Sequence, residues 1–188
     1  MRVSARTIGL VSGILAAGIF VGLYVIAMSI DSRYVFGENY LSDLGVGDGA
    51  WAFNSGVIIA GALFVPFVVL GIRSTLAKSF VGEVSTALLV IAGLFLISIG
   101  IFTENAGDIH GVVSYGFFLT TLVALAFLSY SFDKSGPGGR KRAIVTLVAF
   151  VLGVGLLPLG GTPLVETIAV LAIITWGLMV SLMIMLKK

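Results

Sequence analysis

Few side chains in this sequence can do chemistry, because 59% of the residues are hydrophobic and only 11% are charged. The ionisable residues of greatest interest are Asp43, Glu104, Glu166 and His110, the only histidine in the chain. An imidazole near carboxylates can bind a metal ion, act as a general base or hydrogen-bond within a turn. These residues therefore allow three interpretations, which differ in what the polar groups do.

The first interpretation is a hydrolase or transferase that acts on lipids. His110, Asp43 and Glu104 are sufficient in type to bind a divalent metal, whose bound water would attack an ester or phosphoester. Alternatively, His110 is a general base oriented by Asp43 or Glu104, and Ser42 or Ser114 is the nucleophile. The sequence contains no H-E-x-x-H motif, no G-x-S-x-G motif and no second histidine.

The second interpretation is a site that binds or transports a small molecule or a cation. Its ligand-binding residues would be Ser42, Asn54, Ser114 and Glu166. Carboxylates inside a membrane are costly and often mark the paths of cations or protons. No predicted helix has a charge near its centre, which argues against a relay through the membrane.

The third interpretation is structural, and in it the same residues only stabilise turns. Residues 42–45 form a turn held by hydrogen bonds from side chains to backbone, and Glu104 bonds to His110. Three other polar residues then cap helices: Asp48, Asp108 and Thr162.

The composition decides what kind of protein positions these groups. Soluble domains carry about 25% charged residues, whereas this chain has 11% and a mean hydropathy of +1.17. The sequence therefore predicts an all-α, polytopic integral membrane protein. Its lack of cysteine excludes disulfides and thiolate chemistry, and it has no basic run long enough to predict nucleic-acid binding.

Six apolar runs predict six transmembrane helices packed in one bundle, within a single domain over residues 1–188. The predicted helices cover residues 7–30, 51–72, 84–103, 110–132, 143–158 and 163–186. Pro66 lies inside the second helix and should kink it. Gly9 with Gly13, and Gly18 with Gly22, have the spacing of small residues at helix contacts.

The distribution of basic residues predicts the orientation. With the N-terminus inside, Arg33 alone of the 11 basic residues falls outside. Lysine and arginine are enriched in cytoplasmic loops, so we predict that both termini are cytoplasmic and that the protein lies in the cell membrane. The turns that carry Asp43, Glu104 and Glu166 would then lie at one outer face, where the three carboxylates converge if the helices form one bundle.

At these residues the sequence resembles the membrane family of domain of unknown function 998, which is common in archaea. The resemblance rests on Asn39-x-x-Ser42-Asp43-Leu44-Gly45, Phe53-Asn54, Gly100-x-Phe102-x-Glu104, His110 and Glu166. It implies a six-helix fold and residence in a membrane. We expect membrane lipids to be the partners of such a protein. Thr167 follows Glu166 where the family pattern leads us to expect a basic residue.

A more distant similarity links the polar strip to the membrane hydrolases that include ceramidases and adiponectin-type receptors. Those proteins have seven helices and several histidines. A zinc site built on three histidines is not available in this chain, which has only His110. The sequence thus predicts a polar, acidic pocket at the outer membrane face and leaves its activity open.

Overall fold

The computed structural model describes residues 3–186 and contains six long helices. Arg2, Lys187 and Lys188, which contribute to the predicted orientation, lie outside the described residues. The helices are α1 (Ala5–Ile30), α2 (Ala50–Pro66), α3 (Phe80–Ile101), α4 (Asp108–Asp133), α5 (Gly139–Leu156) and α6 (Pro163–Met185). Two short 3₁₀ helices, Leu41–Gly45 and Glu104–Ala106, lie in the loops after α1 and α3.

Six helical spans are long and apolar enough to cross a membrane, with mean hydropathies of 2.0 to 2.5 over their most apolar windows. The second span comprises α2 and its continuation to Thr75, and the fifth comprises α5 and its continuation to Leu159. The predicted class of all-α, multi-pass membrane protein is therefore confirmed. Helices α3 and α5 begin earlier than predicted, at Phe80 and Gly139. Ser79 caps α3 by accepting a hydrogen bond from the Gly82 amide, so this helix extends past its apolar run.

The helices form a closed ring in which each packs against its neighbours in the chain and α6 returns to α1. Past Pro66 the second helix continues as a wider π-helical segment, Phe67–Ile72, which packs against α1. Proline removes one backbone donor and disturbs the regular ladder, which agrees with this change of helix type. The segment is almost fully buried at Phe67, Val68 and Ile72.

Glycines allow the closest of these helix contacts. An added Cβ at Gly9 would overlap the backbone nitrogen of Gly71, and one at Gly13 would lie 2.6 Å from the Phe67 ring. By contrast, a Cβ at Gly18 or Gly22 would meet nothing within 4 Å. The Gly9–Gly13 pair is therefore a helix contact as predicted, whereas the Gly18–Gly22 pair is not.

We call the end of the bundle with the α2–α3 and α4–α5 loops the basic end, and the opposite end the carboxylate end. Near the basic end the interior is tightly packed around Trp176, which is 2% exposed. Its indole nitrogen donates to Thr146 Oγ1 at 3.0 Å, and that hydroxyl donates to the Arg142 carbonyl at 2.8 Å. The buried indole and the Thr146 hydroxyl therefore each have a hydrogen-bond partner.

The long loop at the carboxylate end is folded around Asp31, which is 5% exposed. Its carboxylate accepts from the amides of Arg33 and Asp48 at 3.0 and 3.1 Å. The Arg33 side chain also donates to this carboxylate, from Nε at 3.3 Å. The hydrogen bonds from the Arg33 amide, the Arg33 side chain and the Asp48 amide hold the pKa of Asp31 below its ordinary value. Asp48 does not cap α2 as predicted, because Gly49 is the N-cap and makes no side-chain bond.

Candidate functional site

The 3₁₀ helix Leu41–Gly45 connects the three turns of the carboxylate end. The Leu41 amide donates to Glu166 Oε2 at 2.7 Å, and the Ser42 hydroxyl donates to Glu104 Oε1 at 2.7 Å. The Tyr40 hydroxyl, just before this helix, donates to the Gly161 carbonyl at 2.6 Å. Residues separated by more than 60 positions in sequence thus meet, as the bundle hypothesis required.

The short helix is itself well anchored. Asp43 Oδ2 accepts from the Tyr40 amide at 2.8 Å, in the manner of a capping box. Asn54 Nδ2 donates to the Gly45 carbonyl at 2.9 Å, which ties the 3₁₀ helix to α2. Asn54 therefore holds the backbone of the site, and it lines neither of the cavities described below.

Three carboxylates, of Asp43, Glu104 and Glu166, lie near one another at this end. Burial raises the pKa of Glu104 most, and the charge of Asp43 raises it further, while the hydrogen bond from Ser42 lowers it. Because like charges this close resist joint ionisation, the site favours hydrogen-bond donors or positive charge in a ligand.

His110 does not bond to Glu104, contrary to the structural interpretation. Its Nδ1 lies 2.8 Å from the Phe102 carbonyl oxygen, and its Nε2 lies 3.3 Å from Ser114 Oγ. The expected caps also differ in part. Gly107 is the N-cap of α4, so Asp108 is not, whereas Thr162 caps α6 through the Val165 amide.

The metal-binding residues proposed from the sequence do not form a ligand set in this geometry. Among residues 3–186, no three His, Cys, Asp or Glu side chains are grouped so as to hold a metal ion. His110 contacts Phe102 and Ser114, while Glu104 accepts from Ser42. This geometry thus gives no support to metal binding by His110, Asp43 and Glu104.

A cleft of about 590 Å³ lies between α4, α5 and α6. Its polar lining is concentrated at the carboxylate end, where it includes Ser42, Glu104, His110, Ser114 and Glu166. The remainder is lined mostly by apolar side chains: Phe118, Leu119, Leu122, Leu125, Ala149, Leu156, Leu157, Val165, Ala169, Ala172 and Ile173. The cleft therefore has a polar end and an apolar body.

A smaller cavity of about 120 Å³ lies beside the cleft, toward α1 and α2. Both are lined by Ser42, Ser114, Phe118, Glu166 and Ile173. The polar residues of the site thus lie where the two spaces adjoin.

Sequence reasoning missed two features of the cleft. Thr121 lines its apolar body and is 2% exposed, and its Oγ1 is the one buried side-chain oxygen or nitrogen in residues 3–186 without a hydrogen-bond partner. Tyr115, at 76% exposure, lines the cleft beside Ser114. Neither has a motif, since a threonine or tyrosine in an apolar helix is usually lipid-facing or bonded to its own helix.

The sequence matches the model of a protein family described as a protein of unknown function (DUF998), over residues 14–185. No curated protein and no solved structure matches the chain. The matched segment includes every residue that lines the cleft.

Proposed function

The chain belongs to the DUF998 family of unknown function, and we propose that it binds a membrane lipid in the cleft between α4, α5 and α6. One observation carries the proposal: the cleft is polar at one end and apolar along the rest of its length. A lipid has the same division between headgroup and chain. The volume of about 590 Å³ lies within the usual range of about 300–1,000 Å³ for small-molecule sites.

The position of the cleft supports entry from the bilayer. Leu119 and Leu157 line it and are 62% and 65% exposed, so its apolar wall continues onto the surface that faces lipid. In a membrane protein this surface contacts acyl chains. A chain could therefore move sideways from the bilayer into the cleft without crossing a polar layer.

The charge of the polar end selects the headgroup. Ionised carboxylates accept hydrogen bonds and donate none. Glu104 and Glu166 line this end, and Asp43 lies near Glu104. An anionic headgroup would be repelled. The proposed ligand is therefore a lipid with hydroxyl or ammonium donors and no net negative charge, such as an acylglycerol.

Native mass spectrometry of the detergent-purified protein with monooleoylglycerol tests this proposal. We expect a one-to-one adduct with the wild type. Ala172→Phe places a ring in the apolar body of the cleft and should lower binding at least about tenfold, a loss of about 1.4 kcal/mol. Ala62→Phe is the matched control, because Ala62 is an exposed α2 residue that lines neither cavity.

Oleic acid serves as the comparison ligand, because it has the same chain and an anionic headgroup. We expect it to bind more weakly than monooleoylglycerol at neutral pH. Equal binding of monooleoylglycerol by wild type and Ala172→Phe would refute the location. Equal binding of the two lipids by the wild type would refute the role of the carboxylates.

The orientation belongs to the same proposal. Arg33 lies in the loop at the carboxylate end. The other basic residues of the described part of the chain lie at the opposite end, which supports a cytoplasmic basic end; they are Arg6, Arg73, Lys78, Lys134, Arg140, Lys141 and Arg142. Because the chain has no cysteine, Ser135→Cys and Glu38→Cys each introduce one thiol. A membrane-impermeant maleimide added to intact cells should label Glu38→Cys only. Labelling of Ser135→Cys alone would show that the protein has the opposite orientation.

A further inference from the structure

Ser114 and His110 lie one helical turn apart on α4, and their side chains are 3.3 Å apart at Oγ and Nε2. His110 Nδ1 lies 2.8 Å from the Phe102 carbonyl oxygen. A carbonyl oxygen can only accept a hydrogen bond, so in the neutral imidazole Nδ1 carries the hydrogen. Nε2 then has a free lone pair, and the Ser114 hydroxyl donates to it.

This assignment separates the two candidate serines. The Ser42 hydroxyl donates to Glu104 Oε1 at 2.7 Å, whereas the Ser114 hydroxyl donates to an imidazole. The sequence suggested that Asp43 or Glu104 orients His110. In the structure the Phe102 backbone carbonyl does so instead. A nucleophile, a base in contact with it and a group that orients the base are thus present in one place.

Ser114 also lies at the boundary between the two parts of the cleft. His110 and Glu104 are on its polar side, and Phe118 and Leu122 follow it along α4 into the apolar body. In an acyl lipid, the ester carbonyl lies at the corresponding boundary between headgroup and chain. A lipid bound as proposed above would therefore bring its ester to the depth of Ser114.

We infer that the protein cleaves the acyl ester of the lipid that it binds, with Ser114 as nucleophile and His110 as general base. This inference rests on the proposed lipid-binding function. Ser114 Oγ would attack the ester carbonyl carbon while its proton passes to His110 Nε2. The carbon–oxygen bond to the alcohol then breaks, and His110 returns the proton to the leaving alcohol.

Water completes the reaction. His110 Nε2 accepts a proton from a water molecule, which attacks the acyl-serine carbonyl, and the proton is then transferred to Ser114 Oγ as the acyl group leaves. For a monoacylglycerol the products are a fatty acid and glycerol. For an acylglycerol with more chains they are a fatty acid and an acylglycerol with one acyl chain fewer. Water is the only co-reactant, and no oxidant or metal is needed for the balance.

The first test is covalent labelling with a fluorophosphonate, followed by peptide mapping of the adduct. We expect a single adduct on Ser114 and none in Ser114→Ala. His110→Gln should lower the labelling rate by about 100-fold or more, the usual contribution of a general base. Ser98→Ala is the matched control, because Ser98 Oγ donates to its own helix at Leu94 and lines neither cavity.

A second test does not depend on the reactivity of the probe. Ser114→Cys and Ser98→Cys each carry one thiol in a chain without cysteine. A thiol hydrogen-bonded to an imidazole base is more often ionised and so alkylates faster. We expect the alkylation rate of Ser114→Cys at neutral pH to fall at least about tenfold when His110→Gln is added, whereas Ser98→Cys should be unaffected by that change.

Release of oleic acid from monooleoylglycerol separates the two proposals. The wild type should bind the lipid and release oleic acid, while Ser114→Ala should release none. If the wild type binds the lipid but neither releases oleic acid nor reacts with the fluorophosphonate, the catalytic inference is overturned and the binding function stands. Absence of binding in the wild type would instead overturn the function on which this inference rests.

Discussion

The helices are similarly apolar at both ends of the bundle, but they pack closely at the basic end and leave a cleft at the carboxylate end. Toward the basic end, Gly9 brings α1 against the backbone at Gly71, and Trp176 fills the interior and bonds to Thr146. Toward the carboxylate end, α4, α5 and α6 enclose a cleft of about 590 Å³. Since lipid chains are as apolar as the helices themselves, close packing and satisfied hydrogen bonds decide where membrane helices stay together.

The comparison implies a division of roles. The basic half contains the large side chains of the main core: Phe67, Phe132, Leu89, Leu128 and Trp176. The carboxylate half places its carboxylates and its hydroxyl–imidazole pair beside open space. Substitutions in the packed core of the basic half should therefore reduce stability, whereas those at residues that line the cleft should alter binding with smaller effects on stability.

The largest expected effect comes from truncating the buried indole of the basic half. Trp176→Ala removes a side chain that is 2% exposed and leaves Thr146 without its donor. We expect a loss of about 3–5 kcal/mol in the free energy of unfolding, measured by denaturant unfolding in detergent. Trp51→Ala is the control, because Trp51 is 61% exposed. A similar loss in both variants would contradict the role assigned to this core.

A smaller loss is expected at the glycine contact. Gly9→Ala places a methyl group against the Gly71 backbone, which cannot move aside as a flexible side chain can. We expect it to destabilise the protein by about 1–3 kcal/mol, as overpacking usually does. Gly18→Ala adds the same methyl group into open space and should be neutral or slightly stabilising in the same unfolding measurement, because alanine favours helix.

A substitution within the cleft should have the opposite sign. Thr121 Oγ1 is buried without a partner, so Thr121→Val, which keeps the shape and removes the polar atom, should stabilise the ligand-free protein by about 1 kcal/mol. Thr120→Val is the control, because Thr120 donates to the Gly116 carbonyl at 2.6 Å. A stabilising effect of Thr120→Val as large as that of Thr121→Val would refute this explanation.

The smallest effect concerns the partly exposed Glu104. Because burial and Asp43 raise its pKa in the folded state, the folded protein binds this proton more tightly than the unfolded chain does. Stability contributed by the protonated form is therefore present below the ordinary pKa of 4.5 and is lost as pH rises through the folded value.

Glu104→Gln mimics the protonated side chain and should raise the midpoint of thermal unfolding slightly at neutral pH, by less than about 1 kcal/mol in free energy. The gain should disappear below the ordinary pKa of 4.5. Thermal unfolding curves of the wild type and of Glu104→Gln, from neutral pH to below the ordinary pKa of 4.5, provide the measurement. A gain that persists at the acidic end would show that the charge of Glu104 is not its cause.

The sequence by itself determined the architecture and the family. Long uncharged runs must satisfy their backbone bonds internally in a membrane, so they form helices whatever their neighbours are. The family resemblance, which rested on the strip 39–45 with Glu104, His110 and Glu166, is confirmed by the match over residues 14–185. Thr162 before Pro163 marked the start of α6 because a capping hydroxyl acts within one turn.

Only the tertiary structure decided how the polar residues are paired. The acceptor of the Ser42 hydroxyl is Glu104, and the partner of the Leu41 amide is Glu166, at sequence separations of 62 and 125 residues. His110 bonds to a backbone carbonyl, which has no sequence signature. The cleft itself arises where α4, α5 and α6 separate, and helix separation depends on packing over the whole bundle and not on any single segment.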